Sequence, residues 1–260
     1  MSSLVPSASR PLRVRFTLTR LDLALVGMAF IWGSNFTVIK AALLVMPEVA
    51  FNAIRMILAS LLFMALLARG GGLRAATSAL SRRDWIRLIA LGLIGHTFYQ
   101  WLFMAGVART SVANSSLIFG CTPITVSILS ALGGHERIGP VRWAGVLLSL
   151  AGVYLVVGGR AQAGASRFGD LLVMGAMFSW SVYTIGSRSM LTRHSPLVLT
   201  ALTMAIGTAC YAPFGIPTLA RLAWSTVPII AWVGLAYSAV FALVVAYLIW
   251  YTAVQRVGSS

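Results

Sequence analysis

His96, Tyr99, Gln100 and Phe103 follow one another at three- and four-residue spacing inside the apolar stretch 86–107. On a helix they share one face, so their polar members look into the same space and make it a wet cavity. A histidine there titrates, when unperturbed, near neutrality; it can sense or carry a proton, or it can serve as a neutral hydrogen-bonding ring. Trp32 and Asn35 form a second polar and aromatic pair in "IWGSNFTVIK" (31–40), and Trp180 and Tyr183 a third in "SWSVYTIGSR" (179–188). An amide in such surroundings must be satisfied, by a ligand or by a neighbouring helix. Two readings stand for these aromatic residues: walls of a cavity that takes the apolar part of a small molecule, or filling between helices.

The cations divide by depth. Lys40 and Arg188 lie near the ends of their apolar runs, where a long side chain reaches the headgroups, or closes a gate by pairing or by hydrogen bonding to carbonyls. Arg55 lies about seven residues beyond Glu48, too deep for an unpaired charge to be cheap. It either captures a substrate carboxylate or is tied to carbonyls or a polar neighbour. Pro123 removes a hydrogen bond from its helix and predicts a kink or a cavity edge. All five carboxylates, Asp22, Glu48, Asp84, Glu136 and Asp170, fall at the ends of apolar runs or in loops. A carboxylate proton relay, a paired-carboxylate site, a metal cluster and a glycine-rich nucleotide loop all lack candidates. Cys121 and Cys210 belong to no Cys-x-x-Cys or Cys/His cluster and read as packing residues. Neither an enzyme nor a bound cofactor or metal is expected.

The elements that position these residues follow from composition. The chain is 59% hydrophobic and 10% charged, with a mean hydropathy of +0.89, against roughly 25% charged residues in an ordinary soluble domain. This is an all-α integral membrane protein, because a chain in lipid must satisfy its backbone internally. A bilayer-crossing helix needs about 20 apolar residues, and eight runs qualify: 22–44, 48–68, 86–107, 112–132, 141–159, 169–190, 196–216 and 227–254. The first is too long and too polar for a cleavable signal and is expected to remain. Gly145, Ser149 and Gly152 give the fifth run a small-residue face for close helix contact. The net charge of +15 sits in loops between runs, which the positive-inside rule explains and a nucleic-acid partner does not. With a cytoplasmic N-terminus, fourteen of the 20 Lys and Arg residues lie inside, five outside, and Arg55 within a span.

The chain repeats itself. Asp22, Leu23, Gly27, Phe30 and Trp32 meet identical residues at Asp170, Leu171, Gly175, Phe178 and Trp180, an offset of 148, and Lys40 meets Arg188. Val107 and Arg109 meet Val254 and Arg256 at an offset of 147. Five spans, an odd number, separate the copies, so the second enters the membrane from the opposite side, a plan of secondary transporters whose sites lie near the midplane between repeats. A basic tail (1–20) precedes a first repeat over 21–159 and a second, inverted repeat over 160–260. The second repeat's fourth and fifth helices would fall at about 259–279 and about 288–306. Ten transmembrane helices in two five-helix bundles are therefore expected, eight of them within these 260 residues.

"WGSNFTVIK" (32–40), "RMILAS" from Arg55, "TPI" around Pro123, "GGHERI" (133–138) and "GVLLSLAGVYLVV" (145–157), in this order and spacing, resemble the EamA family of the drug/metabolite transporter superfamily. The resemblance covers residues from about 22 to 260. It implies a carrier in a bacterial inner membrane that exports amino acids or other small metabolites by alternating access. The substrate site would gather Trp32, Asn35, His96, Tyr99, Gln100, Trp180 and Tyr183, with Lys40, Arg55 and Arg188 as gating or carboxylate-binding groups. The expected partners are a small-molecule substrate and the lipid bilayer; whether the chain is a monomer or a homodimer stays open. A flippase for a lipid or lipid-linked sugar would use the same plan and predicts a laterally open groove.

Overall fold

The computed structural model describes residues 19–69, 72–133 and 166–257, with isolated helical positions among 143–155 and residue 139. The fifth expected helix (141–159) and the basic tail fall largely outside these residues, as does Ser149. Gly145 and Gly152 have open space where a side chain would stand.

Among the described residues there are no strands. Seven helices are long and apolar enough to cross a membrane: α1 (Arg20–Ala42), α2 (Glu48–Arg69), α4 (Arg82–Arg109), α5 (Val112–Leu132), α6 (Arg167–Leu191), α7 (Pro196–Ala220) and α8 (Ile229–Arg256). A short α3 (Leu73–Ser78) crosses the connection between α2 and α4. Polar residues at the starts of these helices answer the backbone N–H groups that a helix leaves open. Thr19 and Asp22 form a reciprocal capping box at α1, and Ser81 and Asp84 form another at α4. Ser111, Ser166 and Ser195 cap α5, α6 and α7.

Two helices depart from regular geometry at matching places. Leu93–Phe98 in α4 and Ser238–Val245 in α8 are wound as π-helix, and an offset of 147 carries Phe98 onto Val245. In α5 the helix breaks at Cys121, between Val112–Gly120 and Thr122–Leu132. The break follows from Pro123, which cannot donate to Phe119; the Thr122 hydroxyl takes that carbonyl instead, at 2.6 Å.

End-to-end contacts fix the direction of the helices. Lys40, at the end of α1, reaches the last carbonyls of α4, and Ser166, before α6, donates from its N–H to the Arg109 carbonyl at 3.0 Å. The end of α1 and the start of α6 therefore lie at one end of the bundle, and α6 runs opposite to α1. At the other end Arg193, after α6, pairs with Asp84 at the start of α4 (2.6 Å), and Gln255 of α8 donates to the Leu191 carbonyl (2.8 Å).

The packing exchanges partners between the two related segments. α1 lies on α8, α6 lies on α4, and α2 lies along α7. Glycines permit the close crossings. A Cβ on Gly207 of α7 would stand 2.2 Å from the His96 Cβ and 2.8 Å from the Gly92 carbonyl, while one on Gly27 of α1 meets nothing within 4 Å. We therefore expect Gly207→Val to destabilise the folded protein by about 1–3 kcal/mol, read as a lower midpoint in thermal unfolding of the purified protein. Gly27→Ala should leave the midpoint unchanged or slightly raised, and an equal loss in both variants would contradict this account of the α4–α7 crossing.

Candidate functional site

Five helices, α1, α4, α5, α6 and α8, surround a cavity of about 350 Å³, with Arg55 of α2 on its wall. Trp32 and Phe36 of α1, Trp180 of α6, and Tyr247 and Trp250 of α8 supply one aromatic side. Tyr99 and Phe103 of α4 and Phe119 of α5 supply another. The rings support one another edge-on or tilted: Trp32 lies 5.9 Å from Trp180 and 5.9 Å from Trp250, and Trp180 lies 5.0 Å from Tyr247, between ring centroids. Such pairs add orientation to simple burial. Lining residues Ala29 and Gly33 of α1 and Gly120 and Pro123 of α5 are exposed, so the rim of the cavity lies between these two helices.

The π segments hold part of this wall. A wide turn frees carbonyls from the regular ladder, and side chains from the neighbouring helix take them. The Trp32 indole N–H donates to the Ala242 carbonyl in α8 at 3.0 Å. In the matching place, the Ser179 hydroxyl of α6 donates to the Ile94 carbonyl in α4 at 2.8 Å.

Arg55 is the deepest polar group. It is 1% exposed. Its Nε and Nη2 donate to Asn52 Oδ1 at 3.1 and 2.7 Å, Nη2 also to Gln100 Oε1 at 2.6 Å, and Nη1 to Ser238 Oγ at 3.0 Å. The guanidinium thus ties α2 to α4 and to the π segment of α8. All of these acceptors are neutral, and among the described residues no carboxylate pairs with it. Of the two readings of Arg55, the tie to polar neighbours is realised, while its place on the cavity wall leaves carboxylate capture available. Asn35, 6% exposed, also lines the cavity, and its Oδ1 has no hydrogen-bond partner among the described residues.

Of the residues singled out in the sequence, Trp32, Asn35, Tyr99, Gln100, Trp180, Arg55 and Pro123 meet on this cavity. His96 and Tyr183 do not line it. They lie behind the wall with Thr203: His96 Nε2 stands 3.1 Å from both the Tyr183 and the Thr203 hydroxyls, which are 2.8 Å from each other. Lys40 and Arg188 are also remote from it. The Lys40 ammonium donates to the carbonyls of Val107, Ala108 and Thr110 at 2.8–2.9 Å, capping the end of α4 rather than reaching outward. Arg188 approaches the Ser130 hydroxyl at 3.4 Å. Tyr247, Trp250, Phe36 and Phe119 were not singled out by sequence reasoning. The repeat carried a signal for two of them, since an offset of 147 places Tyr247 on Gln100 and Trp250 on Phe103.

Carboxylates serve the ends of the bundle. Asp170 accepts from the Thr110 hydroxyl and from Asn114 Nδ2 (3.1 and 3.2 Å). Glu48 pairs with Arg109 at 3.0 Å. Among the described residues, no group of three His, Cys, Asp or Glu side chains could hold a metal ion.

Comparison with known proteins places this geometry among transporters. The EamA-like transporter family matches residues 19–158 and again 167–260. An uncharacterized transporter of Archaeoglobus fulgidus is 31% identical over 247 residues, spanning 93% of this chain and 82% of that protein. The uncharacterized transporter YyaM of Bacillus subtilis is 26% identical over 243 residues, spanning 91% and 78% of the two chains. A solved crystal structure shares the fold with a TM-score of 0.64 at 20% identity, over 91% of this chain and 79% of that one.

The Lys40 clamp generates a stability prediction. Lys40→Met removes charge-assisted bonds to three carbonyls that no other described side chain satisfies, at an expected cost of about 1.5–3 kcal/mol. Amide hydrogen exchange should accelerate locally at the end of α4, around Thr110. An unchanged exchange pattern there would show that the clamp contributes nothing.

Proposed function

Because this chain belongs to the EamA-like transporter family, and is thus a multi-pass membrane transporter, we propose that it carries a small metabolite, an amino acid or a related compound, through the cavity between its two halves. The single observation that supports this reading is the composition of the wall. Trp32 and Tyr99 come from the first segment, Trp180, Tyr247 and Trp250 from the second, and Asn35, whose amide oxygen has no partner among the described residues, lines the same space. A site built from both segments changes shape whenever they move against each other, which is what alternating access requires. In this proposal the moving units are inverted repeats over 21–159 and 160–260, set in a bacterial cytoplasmic membrane with the N-terminus inside, and the physiological direction is outward. Transport needs no bond chemistry, and among the described residues the wall carries no acid–base pair that would serve catalysis.

The test is uptake of a labelled amino-acid panel into proteoliposomes, with and without an imposed pH gradient. Saturable flux of a few members that equilibrates without the gradient is expected, and it would leave His96 without a coupling role. Trp32→Ala should lower that flux by about tenfold, equivalent to roughly 1.4 kcal/mol of lost binding or transition-state stabilisation, while Gly27→Ala should leave it unchanged. Undiminished flux in the Trp32 variant would remove the cavity from the path, and transfer of labelled lipid in place of solute would assign it to a flippase.

A further inference from the structure

We propose that the substrate is recognised by its carboxylate, held by Arg55, and that an amino group on it is dispensable. The inference rests on the reading of the cavity as the transport site and names the chemistry that site selects: a small amphipathic carboxylate with an aromatic or branched apolar body.

The argument begins with charge. Arg55 is a cation buried in the membrane-spanning part of the protein, and all its acceptors, Asn52, Gln100 and Ser238, are neutral. Neutral acceptors orient a guanidinium and satisfy its N–H groups, but they leave its charge uncompensated, which is costly at this depth. Four hydrogen bonds are made to protein acceptors, and a guanidinium has five N–H donors. Nη1 therefore keeps one N–H beyond its bond to Ser238. A carboxylate entering the cavity supplies both the missing negative charge and an acceptor for that donor, in a charge-assisted hydrogen bond.

The rest of the wall defines the other end of the ligand. Its bulkiest side chains are aromatic, and among the described residues no Asp or Glu lines it. Among the described residues nothing there forms an ion pair with a substrate ammonium; neutral oxygens, among them those of Asn35, Ser116 and Thr122, and the ring faces are left to receive one. The cavity measures about 350 Å³ and is open at its rim, within the range of pockets that take small molecules. That size takes a phenylpropionate or a branched-chain acid.

Isothermal titration of the purified full chain in lipid nanodiscs, with three probes of one shape, tests this. The probes are 3-phenylpropionate (carboxylate alone), L-phenylalaninol (amine alone) and L-phenylalanine (both). We expect 3-phenylpropionate and L-phenylalanine to bind within about fivefold of each other and L-phenylalaninol at least tenfold more weakly. In Arg55→Gln that preference for the acid should vanish, and in Arg55→Lys it should be partly kept. L-Phenylalaninol binding as tightly as the two acids would overturn carboxylate recognition and leave the cavity as a site. Should Arg55→Gln not fold, the wild-type comparison of acid with alcohol still decides. Binding of none of the three to the folded wild type would overturn the transport-site reading together with the inference.

Discussion

The first helix of each related segment is packed on the third helix of the other, and this exchange of partners governs the rest of the molecule. α1 rests on α8 and α6 on α4, while α2 and α7 join along the centre. The crossings are close because glycine stands where a side chain would collide, as Gly106 does against Val173 and Gly169 against the backbone of Arg109. Among the described residues the cavity is enclosed by helices of both segments together. The space that holds Trp32 and Trp180 exists between segments, and it is bounded by rings that only the crossed arrangement brings within contact.

Membrane burial makes every polar group in this arrangement accountable. Where α4 and α8 widen into π turns, Ser179 and Trp32 take up carbonyls there. Where α5 breaks before Pro123, Thr122 takes the Phe119 carbonyl. Where α4 ends, Lys40 takes three carbonyls. Against this background the unanswered groups stand out: the charge of Arg55 and the Oδ1 of Asn35. Both residues line the cavity, where a small molecule can meet them, while other unanswered atoms such as His96 Nδ1 and Asn114 Oδ1 belong to residues away from it.

Much of this was legible in the residues. Apolar run length gave the helices, and the echo of Trp32 in Trp180 gave the inverted relation, because identical residues facing one shared space recur at one spacing. Arg55 was legible as a buried cation from its depth alone. His96 was not legible in the same way. On a straight helix it shares a face with Tyr99 and Gln100, but it lies within the π segment Leu93–Phe98, and the wider turn delays the phase of the residues after it. Tyr99 and Gln100 reach the cavity while His96 turns toward Tyr183 and Thr203. Lys40 was read either as reaching for headgroups or as a gate that pairs or bonds to carbonyls; it bonds to carbonyls, and sequence does not reveal that these belong to the end of α4. Tyr247 and Trp250 sit in a run so uniformly apolar that periodicity singles out no face; only the 147-residue offset could have found them.

The π segments also change how this chain must be read beside others. Each of the two third helices is written in two frames, one before its wide turn and one after, and a face traced along α4 up to Gly92 does not continue to Arg109 without skipping a residue. A straight third helix matched to α4 or α8 needs a single-residue gap at that turn. Put the gap one turn too late, and Gln100 is assigned to the lipid and a neighbour to the cavity, although no atom in either protein has moved.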